Sequence, residues 1–181
     1  HLGYTYFKTA DYELALSSFK KVIEYKKYYS RTKIRDAYLR MGDSEFALSR
    51  FWPAMEQYNN GIAMSTAQSD YALYQKSISY GFVDRYKQKI TTLKELIENH
   101  PSSAYIDDAY YELSSAYLVT GSFDAAVSTY DEMMGRFPKS PYLPRAILNK
   151  GLILYNQEKL PRAQDVLKNL VVRYKSCLLY T

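Results

Sequence analysis

The amino-acid sequence predicts an all-α protein, a right-handed α-solenoid of about five helix-turn-helix repeats within a single domain over residues 1–181. Three observations lead to this prediction. The chain has only 7 Gly and 6 Pro, too few for the many tight turns of a sheet-rich fold. Hydrophobic residues make up 47% of the sequence, enough to bury a core. A pattern of residues also recurs at a nearly constant interval, which indicates structural repeats.

The clearest repeated pattern is Pro-x-Ser-x-Tyr. It occurs at Pro101-Ser-Ser103-Ala-Tyr105 and again, 37 residues later, at Pro138-Lys-Ser140-Pro-Tyr142. Proline disfavours helix in the residue before it, so each segment marks the end of a helix. The serine can accept a hydrogen bond from the first free N–H groups of the next helix. The two segments therefore mark junctions between repeats.

Between these junctions, apolar residues at helical spacing predict two helices per repeat. The first helix after Ser103 is followed by a break at Thr120-Gly121-Ser122, and a second helix begins at Phe123. The same organisation predicts five repeats and one insertion. The repeats are placed approximately at residues 1–28, 29–59, 69–102, 103–139 and 140–176, and the insertion is a polar loop over residues 59–70.

One large residue in the middle of each second helix aligns the repeats with one another. These residues are predicted to be Phe19, Phe51, Leu93, Tyr130 and Leu167. The residue four positions earlier is small in four of the five repeats, which lets two helices approach closely: Ala15, Ala47, Lys89, Ala126 and Ala163. At the exception, Lys89, we expect looser packing or a buried stem with the ammonium group directed outward.

This spacing resembles the tetratricopeptide repeat. The resemblance rests on Leu2-Gly3, Tyr6, Ala15 and Phe19, and on Tyr110, Leu113, Tyr117, Gly121, Ala126, Tyr130 and Pro138. It implies a non-catalytic scaffold in which the first helix of each pair lines a concave groove for a protein or peptide.

A narrower resemblance concerns the Pro-x-Ser-x-Tyr junction and the 37-residue step. Both are similar to repeats of bacterial cell-envelope proteins, such as outer-membrane assembly lipoproteins and the coordinator of the Tol-Pal system. The tyrosine-rich sequence also resembles long repeat proteins of Bacteroidetes. The resemblance implies a location in the periplasm or at the outer membrane rather than in the cytoplasm. Because the chain begins with His1, we expect it to be a segment of a larger protein.

The predicted groove combines tyrosine and aliphatic side chains with a few charges, and the chain has 21 tyrosines in all. Tyrosine provides a large apolar contact area and a polar tip, which suits peptide capture. The alternative is that packing between repeats covers these side chains. The groove residues are Tyr71, Tyr74, Ile78 and Phe82 in the third repeat, Asp108, Tyr111, Ser115 and Leu118 in the fourth, and Arg145, Leu148, Leu152 and Tyr155 in the fifth.

No catalytic motif is present in the sequence. There are two histidines, one cysteine (Cys177), no His-Glu-x-x-His and no glycine-rich phosphate loop. We therefore expect no enzymatic activity, no cofactor and no metal site. No apolar run approaches the roughly 18–20 residues that cross a bilayer.

Two other functions remain open. The chain can act as a structural spacer that self-associates through exposed end repeats. A nucleic-acid-binding solenoid is less favoured, because no nucleic-acid motif accompanies the basic stretch and its charges fit solvated helix faces. That stretch consists of Lys20, Lys21, Lys26, Lys27, Arg31, Lys33, Arg35 and Arg40, with Glu24 and Asp36 among them.

Overall fold

The computed structural model describes residues 2–174. This part of the chain is entirely helical, with no β-strand, so the all-α prediction is confirmed. Two short 3₁₀ turns, Lys26–Tyr28 and Thr66–Gln68, lie between α-helices. The α-helices are α1 (Leu2–Lys8), α2 (Tyr12–Glu24), α3 (Arg31–Ala47), α4 (Phe51–Met64), α5 (Asp70–Phe82), α6 (Tyr86–Asn99), α7 (Ile106–Val119), α8 (Phe123–Arg136), α9 (Leu143–Asn156) and α10 (Leu160–Tyr174).

The helices pack as consecutive pairs within two compact units. The first unit extends to Ser103 and contains the pairs α1–α2, α3–α4 and α5–α6. The second begins at Ala104 and contains α7–α8 and α9–α10. Each helix pair corresponds to one sequence repeat.

The expected loop over residues 59–70 is wrong in its first half, because α4 continues to Met64. The second repeat therefore ends at Met64 rather than at residue 59. The apolar face of α4 is continued by Gly61, which is buried against the Leu39 side chain of α3. A glycine contributes little hydrophobicity to the sequence pattern, yet it permits this close approach. Within residues 59–70, only Ser65 to Ser69 lie outside the α-helices, and they include the Thr66–Gln68 turn.

The large residue predicted for the second repeat, Phe51, is also wrong. Phe51 is the first residue of α4, and Ala47 is the exposed last residue of α3. The residue equivalent to Phe19 and Leu93 is Tyr58, the eighth residue of its helix and 0% exposed. The small residue four positions earlier is Ala54, which is also fully buried. Lys89 occupies this small-residue position in the third repeat and is buried, with its ammonium group beside Gly81.

A small residue lies sixteen positions before each large residue, on the first helix of the same pair, and where it is glycine the large side chain packs against it. A Cβ atom added to Gly42 would lie 2.6 Å from Cε1 of Tyr58, and one added to Gly151 would lie 2.5 Å from Cδ2 of Leu167. The large side chain thus rests directly on the backbone of the partner helix. The small residues are Gly3, Gly42, Ser77, Ser114 and Gly151, and all are buried.

Serine replaces glycine at this position in the third and fourth repeats without leaving a polar group unpaired. The Ser77 hydroxyl donates to the Tyr74 carbonyl at 2.6 Å, and the Ser114 hydroxyl donates to the Tyr110 carbonyl at 2.8 Å. Burying a hydroxyl is costly only when it lacks a hydrogen bond. Both serines therefore act as small core residues.

The two junction serines act differently. The Ser140 hydroxyl accepts a hydrogen bond from the Tyr142 N–H at 3.3 Å. Because α9 begins only at Leu143, this bond forms a turn before the helix, and the expected capping of the first N–H groups of α9 is wrong. The Ser103 hydroxyl instead donates to the Asp70 carboxylate at 2.8 Å and joins the end of the third repeat to the start of α5. The serine of this motif therefore makes a different hydrogen bond at each of the two junctions.

Each turn between paired helices contains one residue in the left-handed conformation. In the fourth repeat this residue is Gly121, with φ +73°, and the following Ser122 N–H donates to the Tyr117 carbonyl at 2.8 Å. This hydrogen bond closes the end of the first helix in a Schellman-type turn. The equivalent residues in the other repeats are not glycine: Ala10, Ser49, Asp84 and Glu158.

Gly121→Ala is expected to destabilise the protein by about 1 kcal/mol, because a side chain strains the left-handed backbone. Gly135→Ala provides the matched control. Gly135 lies in the last turn of α8 with no atom within 4 Å of an added Cβ, so alanine is expected to stabilise the helix by about 0.5 kcal/mol. Urea unfolding of both variants measures the two effects, and changes of the same sign would contradict the different roles assigned to the two glycines.

Candidate interaction site

The groove residues predicted in the second unit lie on α7 and α9, and the two helices differ in exposure. Leu148, Leu152 and Tyr155 on α9 are 41%, 48% and 59% exposed. The residues on α7 are half-buried. Arg145, at the start of α9, is exposed. Of the predicted groove residues in this unit, the exposed apolar ones therefore all lie on α9.

A pocket of about 230 Å³ lies beside this apolar row. Leu118 of α7 and Leu152 of α9, both predicted from the sequence, form part of its wall together with Phe123 at the start of α8. Ile153 and the amides of Asn149, Asn156 and Gln157 complete the lining. Phe123 was not predicted for the site, although its place directly after the Gly121 turn was visible in the sequence. We call the pocket together with Leu148 and Tyr155 the α9 surface.

The predicted residues at the start of α7 are partly covered by the next repeat. The Tyr111 ring stacks on Tyr142, with ring centroids 5.0 Å apart. The Tyr142 hydroxyl donates to the Asp108 carboxylate, and this hydrogen bond, aided by burial, raises the pKa of Tyr142 to about 12. Asp108 and Tyr111 are therefore partly covered by packing between repeats, as in the alternative to an open groove. Ser115 is half-buried in the middle of the same helix.

In the first unit, the predicted residue Tyr71 belongs to a polar cluster around Asp43. The Asp43 side chain is buried, and its Oδ1 accepts hydrogen bonds from the hydroxyls of Tyr58 at 3.0 Å and Tyr71 at 2.7 Å. Its Oδ2 accepts from Nη1 of Arg40 at 2.5 Å. Burial raises the pKa of the Asp43 carboxyl, while the hydrogen bond from Tyr71 and the charge of Arg40 oppose that shift. Three helices thus converge on one carboxylate.

The cluster continues into the first repeat. Nε of Arg40 lies 3.5 Å from Oδ1 of Asp36, and the Tyr4 hydroxyl of α1 donates to Asp36. We call Tyr4, Asp36, Arg40, Asp43, Tyr58 and Tyr71 the Asp43 cluster. The sequence analysis missed this cluster. Asp36, Arg40 and Asp43 have the spacing of ion pairs on one helix, but the three tyrosines that join them are distant along the chain.

The remaining predicted residues of the third repeat take different positions. Tyr74 and Ile78 are half-buried on α5. Phe82, at the end of α5, is 60% exposed, and one face of its ring stacks on Phe51 with centroids 4.6 Å apart. Phe46 contacts both rings edge-on. Phe82 therefore combines a packing role between repeats with an exposed face.

Three arginines of the basic stretch bind groups within the protein. The Arg31 guanidinium donates to the Met64 carbonyl at the end of α4, at 2.8 and 3.0 Å. Arg35 donates to the backbone and side chain of Gln68, and Arg40 binds Asp43. These contacts give the arginines a structural role, whereas the lysines of the stretch are exposed.

The described part of the chain, residues 2–174, contains no group of three or more His, Cys, Asp or Glu side chains arranged to hold a metal ion. Among the same residues, no helix is long and apolar enough to cross a membrane. His100 contacts the Ser69 hydroxyl through Nε2 at 2.9 Å. His1 and Cys177 lie outside the described residues.

Comparison with known families identifies the class of protein. One tetratricopeptide repeat profile matches residues 1–29, and another matches residues 71–103 and 108–140, together just over half of the chain. The chain belongs to the tetratricopeptide repeat family, as its residue spacing predicted. Members of this family are built as protein-interaction scaffolds. A search among curated proteins found no matching sequence.

Solved structures share this fold. The crystal structure of MamA aligns with a TM-score of 0.83 at 19% identity, covering 99% of this chain and 98% of MamA. A structure of MamA from Desulfovibrio magneticus RS-1 aligns with a TM-score of 0.77 at 15% identity, covering 96% and 92%. BtubC from P. vanneervenii aligns with a TM-score of 0.78 at 13% identity, covering 99% and 79%. At these identities the likeness concerns the fold.

Asp43→Ala is expected to cost about 3–5 kcal/mol of stability, because it removes the partner of a partly buried arginine and of two tyrosine hydroxyls. Asp43→Asn should cost less stability, since its amide oxygen can still accept hydrogen bonds from both tyrosine hydroxyls, and Arg40 keeps its ion pair with Asp36. Urea unfolding measures the difference. Asp165→Ala, on the exposed side of α10, is the control and should leave the midpoint unchanged. Equal losses for the alanine and asparagine variants would contradict the proposed role of the tyrosine hydroxyls.

Proposed function

We propose that this chain is a non-catalytic scaffold that captures a protein or peptide partner on the first-helix faces of its repeats, with the α9 surface as the principal contact. The observation that carries the proposal is the row of exposed apolar side chains, Leu148, Leu152 and Tyr155, beside an open pocket. Exposed apolar patches next to polar groups are typical of interaction sites.

The size of the pocket fits one bulky apolar side chain of the partner. An apolar cavity of about 150 Å³ holds benzene, so a pocket of about 230 Å³ can hold a leucine, methionine or phenylalanine side chain. The Asn156 amide and the Asn149 amide oxygen at the pocket can hydrogen-bond a peptide backbone beside that side chain. The Gln157 amide already binds Asp124 and Lys159, and the Asn149 amide nitrogen donates to the Tyr130 hydroxyl. The apolar row extends the contact beyond one side chain, which favours a peptide over a small molecule.

The remaining predicted groove residues contribute less to capture in this proposal. Tyr71, Asp108 and Tyr111 already have partners within the protein. Tyr74, Ile78, Phe82, Ser115 and Arg145 retain a proposed role as secondary contacts, because each is at least partly accessible.

Self-association is the second candidate function. Leu2 on α1 is 61% exposed, and Val172 on α10 is 79% exposed, so helices of the first and last repeats carry accessible apolar groups. Sedimentation over a range of protein concentrations separates this candidate from capture of a different protein.

We also propose a bacterial protein located in the periplasm or at the outer membrane. The support is the resemblance of the Pro-x-Ser-x-Tyr junctions and the 37-residue step to repeats of envelope proteins. Fractionation of the source cells tests this location.

Peptide selection from a random display library tests the capture function. We expect wild-type protein to enrich peptides containing a bulky apolar residue, and Leu152→Glu to weaken their binding at least about tenfold, because it places a charge at the pocket. Leu14→Glu is the matched control, since Leu14 on α2 is 50% exposed and Leu152 is 48% exposed. Equal binding by wild type and Leu152→Glu, or equal weakening by both variants, would contradict the proposal.

A further inference from the structure

A second feature of the first unit is not explained by partner capture. Residues 20–33, which connect α2 to α3 and include the ends of both helices, contain six basic residues and one acidic residue, Glu24. All ten residues from Glu24 to Lys33 are exposed, so this part of the segment is accessible to solvent at every position. We call residues 20–33 the lysine–tyrosine segment.

The charge of this segment is not neutralised within the described part of the protein. Arg31 is the only basic side chain of the segment that donates a hydrogen bond to another group there, the Met64 carbonyl, which carries no charge. The ion pairs between residues 2 and 174 involve other cations. The exposed ammonium groups are those of Lys20, Lys21, Lys26, Lys27 and Lys33.

Exposed tyrosines alternate with these lysines. Tyr25 is 50% exposed, Tyr28 is 72% exposed and Tyr29 is 40% exposed. Nζ of Lys27 lies 4.9 Å from the centroid of the Tyr28 ring. The exposed parts of these three rings do not gain the free energy of burial in the free protein. Tyrosine is favoured at a membrane–water interface, where the ring contacts the lipid and the hydroxyl remains hydrated.

We infer that the lysine–tyrosine segment is a docking surface for an anionic phospholipid bilayer. Clustered lysines are attracted to anionic headgroups, and each lysine close to such a surface strengthens binding roughly fivefold. The tyrosine rings add interfacial contacts that depend less on charge.

The shape of the segment favours a bilayer over a nucleic acid. Proteins that bind single-stranded nucleic acid hold the backbone in a basic groove while the bases stack on aromatic rings. Here the run from Glu24 to Lys33 is exposed at every position, so a broad, flat surface can reach several lysines and tyrosines at once. Binding to an oligonucleotide is therefore the competing outcome of the test.

Co-sedimentation with lipid vesicles tests the inference. We expect the wild-type protein to bind vesicles of phosphatidylcholine with about one-third phosphatidylglycerol, and not vesicles of phosphatidylcholine alone. Replacing Lys20, Lys21, Lys26 and Lys27 with glutamine should lower the partition coefficient at least about a hundredfold. Added salt should weaken wild-type binding.

The matched control removes the same amount of charge elsewhere. Lys87, Lys94, Lys139 and Lys168 are all exposed, and replacing these four with glutamine should change the partition coefficient by no more than about twofold. Circular dichroism of both variants checks that each remains folded.

Three results would overturn the inference. They are no wild-type binding to the anionic vesicles, equal loss of binding in the two four-lysine variants, and binding to an oligodeoxythymidine without binding to vesicles. None of these results bears on the α9 surface, so the capture proposal is tested separately.

Discussion

The packing of a large side chain of the second helix against a small residue of the first helix is the interaction on which the rest of the structure depends. Tyr58 rests on Gly42 and Leu167 rests on Gly151, so closely that neither glycine has room for a Cβ atom. This contact fixes how near the paired helices lie and which way each helix is rotated. Because the sequence of every repeat places a large residue sixteen positions after a small one, equivalent positions of the first helices are expected to present equivalent faces. The buried Lys89 shows that the neighbouring small position tolerates a long, flexible stem, whereas the glycine position accepts only glycine or serine in this chain.

The first-helix faces predicted to line a groove differ between the two units. In the first unit, a buried carboxylate would be costly without partners, and Arg40, Tyr58 and Tyr71 supply the donors that balance it. The polar groups of these three residues therefore bind within the protein and link three helices. In the second unit, α9 leaves leucine and tyrosine side chains accessible beside an open pocket. Of the predicted groove residues, the exposed apolar side chains therefore lie mainly on α9, with Phe82 of α5 as the exposed one in the first unit.

Sequence patterns predicted the paired helices and the family, because both depend on local periodicity and on junctions marked by proline. The errors arose where the local signal was weak or misleading. In the second repeat, Ala47 and Phe51 have the same four-residue spacing as Ala15 and Phe19, although they lie on two different helices. No glycine or proline marks the turn at Ser49 between those helices. The predicted end of α4 was too early because Gly61 adds little hydrophobicity to the apolar pattern of the helix. The tyrosine partners of Asp43 could not be predicted, since these hydrogen bonds join residues far apart in sequence. The partial covering of Asp108 and Tyr111 depends on the orientation of Tyr142.

A double-mutant cycle between Gly151 and Leu167 tests the central contact most directly. By urea unfolding, Gly151→Ala alone should destabilise the protein, because the added Cβ would lie 2.5 Å from Cδ2 of Leu167. In a Leu167→Ala background the same change should be neutral or stabilising by about 0.5–1 kcal/mol, since the obstruction is gone and alanine favours helix. This predicts a coupling energy of at least about 1 kcal/mol between the two sites. Additive effects of the two substitutions would contradict a direct packing contact between them.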